Sequence, residues 1–97
     1  MLALVLFSFA VAAAQNPGKA IFASKCALCH GPDGKGSTSI GKSLKIADLR
    51  SADVQKLSDD DFKTLITNGK NKMPPFKGKL TDAQMLQVIS YIRELGK

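Results

Sequence analysis

Two cysteines and the only histidine of the chain stand together in a spacing that points to a specific chemistry. The segment is Cys26-Ala27-Leu28-Cys29-His30, with the histidine directly after the second cysteine. At this spacing two thiols can bond a haem through thioethers while the adjacent imidazole reaches the iron. We therefore expect one covalently attached haem c, held by Cys26 and Cys29, with His30 as an axial ligand of its iron.

Other uses of the two cysteines fit the sequence less well. A disulfide between Cys26 and Cys29 would close a very short loop and add little chain-entropy stabilisation. A structural zinc ion usually takes four ligands, whereas the chain has two cysteines and one histidine. A thioredoxin-like redox pair would need a strand and helix around it, which the flanking residues do not indicate. Haem attachment is the interpretation we prefer among these.

Met73 is the second residue whose position suggests iron binding. It lies in a polar, lysine-rich segment, residues 69–79, and is followed by Pro74 and Pro75. The prolines exclude a helix after Met73 and favour an extended backbone at Met73 itself, so a stiff loop would carry its thioether. That side chain could be the sixth ligand opposite His30, or it could simply rest on the surface. Met85 lies in an apolar helical stripe and is better explained as a core residue.

A short helix is expected to present the cysteines. Asn16 is a candidate N-cap and Pro17 suits the first helical position, so the helix would continue toward Cys26. Gly18 would allow close approach of the last helix, whose Tyr91 and Ile92 could cross here.

Two longer helices are expected in the second half of the chain. Ser58 caps the first, which ends at Asn68 and Gly69. The second runs from about residue 82 to residue 95, opened by a capping box of Thr81 and Gln84 and closed by a glycine. The apolar stripes of both helices predict core faces.

Weaker signals lie between these helices. Residues 31–39 contain three glycines and a proline, which favours a turn-rich loop folded over the edge of the cofactor. The glycines match neither a P-loop nor a dinucleotide-binding fingerprint. Residues 40–57 predict an extended loop with at most one or two short helices, one of them capped near Ser51.

The N-terminus predicts export. Residues 1–14 are largely apolar and end in small residues, as in a signal peptide cleaved before Gln15 or one or two residues earlier, which leaves residues 15–97 as one domain. The apolar run is too short for a comfortable membrane helix. No Lys or Arg precedes it, so an uncleaved anchor remains the alternative. We expect a periplasmic or otherwise exported protein without stable membrane insertion.

The charge of the chain indicates what kind of partner it meets. Fourteen Lys and Arg residues oppose eight Asp and Glu, a formal net charge of +6. A positive surface accelerates association with an acidic protein and makes the rate fall with salt. Nucleic acid is a poor candidate, because the aromatic residues are few and the lysines are scattered.

These features together resemble class I cytochromes c, and in particular the small bacterial type with one haem. The resemblance covers about residues 18–95. It rests on the cysteine–histidine motif, the methionine–proline loop and the closing amphipathic helix. It implies an all-α fold, with three to four short helices and long loops wrapped around one covalently attached haem, in which the first and last helices cross.

Carried onto matching positions, the resemblance implies a complete set of site residues. Cys26 and Cys29 would attach the haem, and His30 and Met73 would be the axial iron ligands. In many members of the family a proline carbonyl after the motif orients the histidine. Pro32 is too near the motif for this role, and the next proline comes only after Met73, so the hydrogen-bond partner of His30 is not assigned.

The resemblance also implies a function. With both axial positions filled, the iron offers no site to a substrate, and methionine opposite histidine raises the reduction potential. We expect a monomeric one-electron carrier rather than an enzyme, serving redox proteins with acidic docking surfaces. Lys70, Lys72, Lys77 and Lys79 around Met73 could form a positive docking rim, or they could be a solvated surface that keeps the protein soluble. The alternatives are a haem-based ligand-binding or sensor protein with a displaceable Met73, and a haem subunit of a larger respiratory enzyme.

Overall fold

The fold is built from α-helices joined by irregular loops. A computed structural model describes residues 3–5 and 16–97. Over these ranges the chain forms six helices and no extended strand: α1 (Pro17–Lys25), α2 (Ala27–His30), α3 (Ser39–Ser43), α4 (Ala52–Gln55), α5 (Asp59–Asn68) and α6 (Asp82–Leu95). The predicted signal peptide falls mainly outside the described residues. Among the described residues, no helix is long and apolar enough to cross a membrane.

The predicted all-α class is confirmed, but the number of helices differs. The resemblance implied three to four, and the described residues contain six. The additional ones are short: α2, α3 and α4 have four or five residues each. One-turn helices give little periodicity, because a single turn contains too few residues to show a repeat of 3.6.

The helix starts follow the capping residues in the sequence. The Asn16 side chain accepts a hydrogen bond from the Gly18 N–H, with proline in the first helical turn of α1. Reciprocal side-chain and backbone bonds join Thr81 and Gln84 in the capping box that opens α6. A second capping box opens α5, and Ser51 caps α4. These local bonds satisfy N–H groups that a helix leaves without partners.

The core lies where α1 crosses α6. Gly18 is buried there, and a β-carbon on it would overlap the carbonyl oxygen of Gln87. The aromatic rings of Phe22 and Tyr91 pack 5.2 Å apart at the same crossing. The close approach predicted for Gly18 is therefore present, and the remaining core residues come from α5, α6 and the loop between them: Phe62, Ile66, Phe76, Leu80, Met85, Val88, Ile89 and Ile92.

Met85 is one of the most buried of these core residues. Its side chain is 2% exposed, and the Thr67 hydroxyl donates to its sulfur at 3.2 Å. A side chain in this position packs the interface of α5 and α6. The prediction that Met85 belongs to the core is therefore confirmed.

Candidate functional site

The motif residues lie at the junction of α1 and α2. Helix α1 ends at Lys25, and the Cys26 N–H donates to the Phe22 carbonyl at 2.8 Å. The chain then starts a new turn, α2, which carries Cys29 and His30. Both cysteines are free thiols and half-buried. The motif therefore begins where α1 ends, and Cys26 packs against the edge of the core.

A cavity of about 340 Å³ brings the predicted site residues together. Cys26, Cys29 and His30 line it from the motif, and Met73 lines it from the loop that follows α5. Apolar side chains, among them Ile46, complete much of the remaining wall. The volume lies within the range of about 300–1,000 Å³ that is usual for sites of small molecules and cofactors.

Burial changes the acid–base properties of the motif. Desolvation lowers the pKa of the His30 imidazole, which favours the neutral form that can bind a metal. The same effect raises the pKa of the Cys26 thiol to about 11. The Nδ1 atom of His30 is buried without a hydrogen-bond partner among the described residues. The acceptor that the sequence left unassigned is therefore not supplied by this arrangement of the chain.

Backbone bonds hold the loop that carries Met73. The Lys70 N–H donates to the Met73 carbonyl at 3.1 Å, and the Met73 N–H donates back to Lys70 at 2.9 Å. Beyond Met73, the Phe76 N–H donates to the carbonyl of Ile66 in α5 at 2.9 Å. The thioether is thus presented by a tight turn that is fixed to a helix at its far end.

The available donors fit a haem of the c type. The cavity combines two thiols for covalent attachment, one imidazole and one thioether, and most of its lining is apolar. Imidazole and thioether are the axial pair found in cytochromes c, and a flat apolar macrocycle suits such walls. The structure therefore brings the two thiols, the imidazole and the thioether around one space.

Comparison with known proteins agrees with the site. Residues 13–92 match the family described as cytochrome C oxidase, cbb3-type, subunit III. Cytochrome c6 of Nostoc sp. is 39% identical over an alignment that covers 100% of this chain and 87% of that protein. Cytochrome c6 of Synechocystis sp. is 42% identical, covering 86% of this chain and 67% of that protein. The chain belongs to the cytochrome c family.

Two further comparisons describe this cytochrome c domain. The solved structure of the KustC0563 c-type cytochrome superposes with a TM-score of 0.76 at 32% identity, covering 82% of this chain and 98% of that one. The cbb3-type cytochrome c oxidase subunit CcoP of Azospirillum brasilense is 34% identical over 88% of this chain, which is only 30% of that subunit. The predicted family, all-α fold and haem c cofactor are confirmed.

Thr38 fixes the motif of this cytochrome c domain to the loop after it. Its hydroxyl lies 3.1 Å from the carbonyl oxygens of Leu28 and Cys29, and it accepts from the Gly41 N–H at 2.9 Å. One side chain thus caps α3 and ties it to α2. A β-carbon on Gly41 would clash with the backbone of Gly36 and Cys29, so the two helices meet closely. The sequence analysis identified neither residue.

Aromatic residues support His30 from the α1–α6 core. The Phe22 ring lies 6.4 Å from the imidazole of His30 and also packs against Tyr91. The Tyr91 hydroxyl donates to the Pro32 carbonyl at 3.2 Å. This bond joins α6 to the loop directly after the motif. The carbonyl of Pro32 therefore already accepts a hydrogen bond from Tyr91.

Two of the four lysines predicted to form a docking rim line the cavity itself. Lys70 and Lys72 line the cavity, whereas Lys77 and Lys79 do not. Lys25 and Lys45, which the sequence analysis did not include, line it from other segments. These positions were missed because three segments distant in sequence form the cavity wall. Among the described residues, lysines line the cavity and no acidic residue does.

Proposed function

We propose that this cytochrome c domain is an exported carrier of single electrons. Cys26 and Cys29 hold one haem c covalently, and His30 and Met73 are the two axial ligands of its iron. The observation that carries the proposal is that all four side chains line one cavity. When bound, the haem supplies a couple that takes up and releases one electron.

The ligand set explains why the site would transfer electrons rather than catalyse a reaction. His30 and Met73 together would occupy both axial positions, so no position stays open for a substrate. The thioether of Met73 favours the reduced metal and raises the reduction potential. The bonded turn from Lys70 to Met73 restrains this side chain, which limits rearrangement when the charge of the site changes.

The mouth of the cavity is the surface on which a redox partner would dock. Four lysines line the cavity: Lys25, Lys45, Lys70 and Lys72. Leu28 also lines it, and its side chain is 73% exposed. Apolar contact surrounded by positive charge suits an acidic partner, because the charges speed encounter and the apolar centre supports the complex. The protein would act outside the cytoplasm, after cleavage of residues 1–14.

The relatives favour this proposal over the alternatives. The aligned regions cover 87% and 67% of the two cytochromes c6, so this one domain corresponds to most of each of those proteins. The match to the oxidase subunit covers less than a third of it. A sensor with a displaceable Met73 has no specific support, since the loop around Met73 is bonded at both ends.

The axial assignment can be tested by spectroscopy on the haem-loaded protein. The near-infrared spectrum of the ferric form should contain the charge-transfer band of methionine-ligated haem. Met73→Ala should abolish the band, whereas Met85→Leu, a core substitution, should keep it. Ferrous Met73→Ala should bind carbon monoxide rapidly, while the parent should not. A band that survives in Met73→Ala, or rapid binding by the parent, would contradict the proposed ligation.

Attachment and export can be tested by mass spectrometry. Under denaturing conditions the parent should retain the mass of one haem, and its mature N-terminus should be Gln15. Replacing both Cys26 and Cys29 with alanine should release the haem on denaturation. Retention of the haem by the double variant would refute thioether attachment, and an intact residue 1 would refute cleavage.

A further inference from the structure

Gly69 connects α5 to the loop that carries Met73, and its backbone has a conformation that is almost confined to glycine. Helix α5 ends at Asn68, and Gly69 follows with φ 70° and ψ 172°. A residue with a β-carbon is strained at these angles. The Gly69 N–H still donates to the Leu65 carbonyl at 2.8 Å, which closes the last turn of the helix. The path of the chain out of α5 therefore depends on a glycine at this position.

The loop that carries Met73 folds back onto the end of α5. The Phe76 N–H donates to the Ile66 carbonyl at 2.9 Å, and Phe76 itself is buried in the core. The Lys77 N–H donates to the Thr67 carbonyl at 3.2 Å. Both carbonyls belong to the last turn of α5, where a helix has no partners of its own to offer. The loop therefore caps the C-terminus of α5, and Met73 lies in the middle of the loop.

The backbone of Met73 passes directly over the α-carbon of Gly69. A β-carbon on Gly69 would lie 2.5 Å from the Met73 carbonyl oxygen. It would also lie 2.8 Å from the carbonyl carbon of Pro74 and 2.8 Å from the nitrogen of Pro75. All three are backbone atoms of a segment that two prolines stiffen, so no side-chain rotation can make room. Ordinary contact would require the segment to move by about 1 Å.

We propose that Gly69 is the positioning residue for the thioether of Met73, because the contact between their backbones fixes how far the Met73 loop stands from α5. The inference rests on the proposed function, in which Met73 is the sixth ligand of the iron. Helix α5 is itself fixed, since Phe62 and Ile66 are buried in the core. An iron held by His30 and two thioethers cannot follow a displaced loop, so the displacement would weaken the bond from iron to sulfur.

The test variant is Gly69→Ala, and Gly78→Ala is its matched control. Gly78 lies in the same loop with φ 77°, so alanine is strained there too, but a β-carbon on Gly78 meets no atom within 4 Å. Gly18→Ala is a second control, because its clash lies at the crossing of α1 and α6 and not in the loop. The three variants separate contact with Met73 from backbone strain and from a general loss of stability.

The measurement is the binding of imidazole to the ferric, haem-loaded protein, in which imidazole displaces Met73. Gly69→Ala should bind imidazole about tenfold more tightly than the parent, because overpacking weakens the ligand that imidazole replaces. Gly78→Ala and Gly18→Ala should stay within about twofold of the parent. The near-infrared charge-transfer band should weaken in Gly69→Ala alone. Thermal unfolding should not discriminate, since all three variants should have a lower Tm than the parent.

A second measurement needs no variant. In the ferrous parent, the backbone amides of Lys70, Met73, Phe76 and Lys77 should exchange with solvent about a hundredfold more slowly than in an unstructured chain, because all four donate hydrogen bonds within the loop or to α5. Exchange of these amides at the unprotected rate would show that the loop is not held against α5. That result would overturn the inference even if Gly69→Ala did not take up haem.

Equal imidazole affinities of Gly69→Ala and Gly78→Ala would also overturn the inference, since the contact with Met73 would then have no effect on the ligand. Failure of the proposed ligation looks different, because the parent itself would lack the charge-transfer band. Both proposals would then fall together.

Discussion

Gly18 of α1 lies directly against Gln87 of α6, so closely that its α-carbon can carry a hydrogen atom there but not a β-carbon. A β-carbon built on Gly18 would overlap the Gln87 carbonyl oxygen and approach the Val88 nitrogen to 2.9 Å. Both of these are backbone atoms, so no side chain can turn aside to make room. This contact fixes the distance between the two helices. Because Phe22 packs at the same crossing, the contact also fixes the position of the segment that leads into Cys26.

We therefore expect Gly18→Ala to destabilise the protein by about 2 kcal/mol, because the two helices must separate to admit the methyl group. The measurement is the free energy of unfolding of the haem-loaded protein in guanidinium chloride. Ala20→Gly, at an exposed position of the same helix, is the control and should cost about 1 kcal/mol from helix propensity alone. If Gly18→Ala were as stable as the parent, the two helices would not be in contact at this position.

Much of this arrangement follows from local sequence. The capping residues Asn16, Ser58 and Thr81 were predictable because each bonds within three residues of itself. The close helix contact at Gly18 was predictable because glycine lowers helix stability, so its presence inside a helix suggests a packing role. The haem motif is equally local, since Cys26, Cys29 and His30 lie within five residues at the start and along the length of α2.

What the sequence did not predict depends on distant parts of the chain. The side chain of Arg93 bonds to carbonyls that lie 36 and 38 residues away in sequence. Lys25, Lys45 and Lys72 line one cavity only because three segments distant in sequence converge there. Thr38 lies in a glycine-rich segment where its hydroxyl had no visible partner. No pattern in a single sequence specifies such pairings, because they are set by the packing of the whole domain.

Thr38→Val should lower the free energy of unfolding by about 1–2 kcal/mol. The isosteric side chain cannot cap the Gly41 N–H or bond the carbonyls of Leu28 and Cys29, so the part-buried Gly41 N–H and Cys29 carbonyl lose this partner. Thr38→Ser keeps the hydroxyl and should stay within about 0.5 kcal/mol of the parent. Equal stability of the valine and serine variants in urea titrations would show that the hydroxyl does not join α2 and α3.

Arg93→Lys should cost about 2 kcal/mol even though the charge is kept. The guanidinium lies 4.7 Å from the centre of the Phe62 ring, donates to Asp59 at 2.9 Å, and also donates to the backbone carbonyls of Gln55 and Leu57. A lysine ammonium cannot reproduce this planar set of bonds. Denaturant midpoints of the two proteins provide the measurement.

Arg50→Lys is the matched comparison for the Arg93 variant. Arg50 also pairs with an aspartate, Asp48, at 2.9 Å, but both side chains are exposed. Exposed pairs contribute little, so this variant should leave the denaturant midpoint nearly unchanged. Similar losses for the two arginines would show that the buried carbonyl contacts of Arg93 are not what stabilises this region.

Asn71→Val should loosen Met73 without abolishing the fold. Asn71 has φ 54° in the turn that the reciprocal Lys70–Met73 hydrogen bonds close, and a β-branched residue fits this conformation poorly, at a cost of about 1–2 kcal/mol. Imidazole added to the ferric protein should then displace Met73 with an affinity about tenfold higher than in the parent. Asn71→Gly accepts the same φ and should bind imidazole within about twofold of the parent. If glycine and valine at this position gave equal imidazole affinities, the left-handed residue would have no part in holding the thioether, and the restraint would have to come from the prolines that follow it.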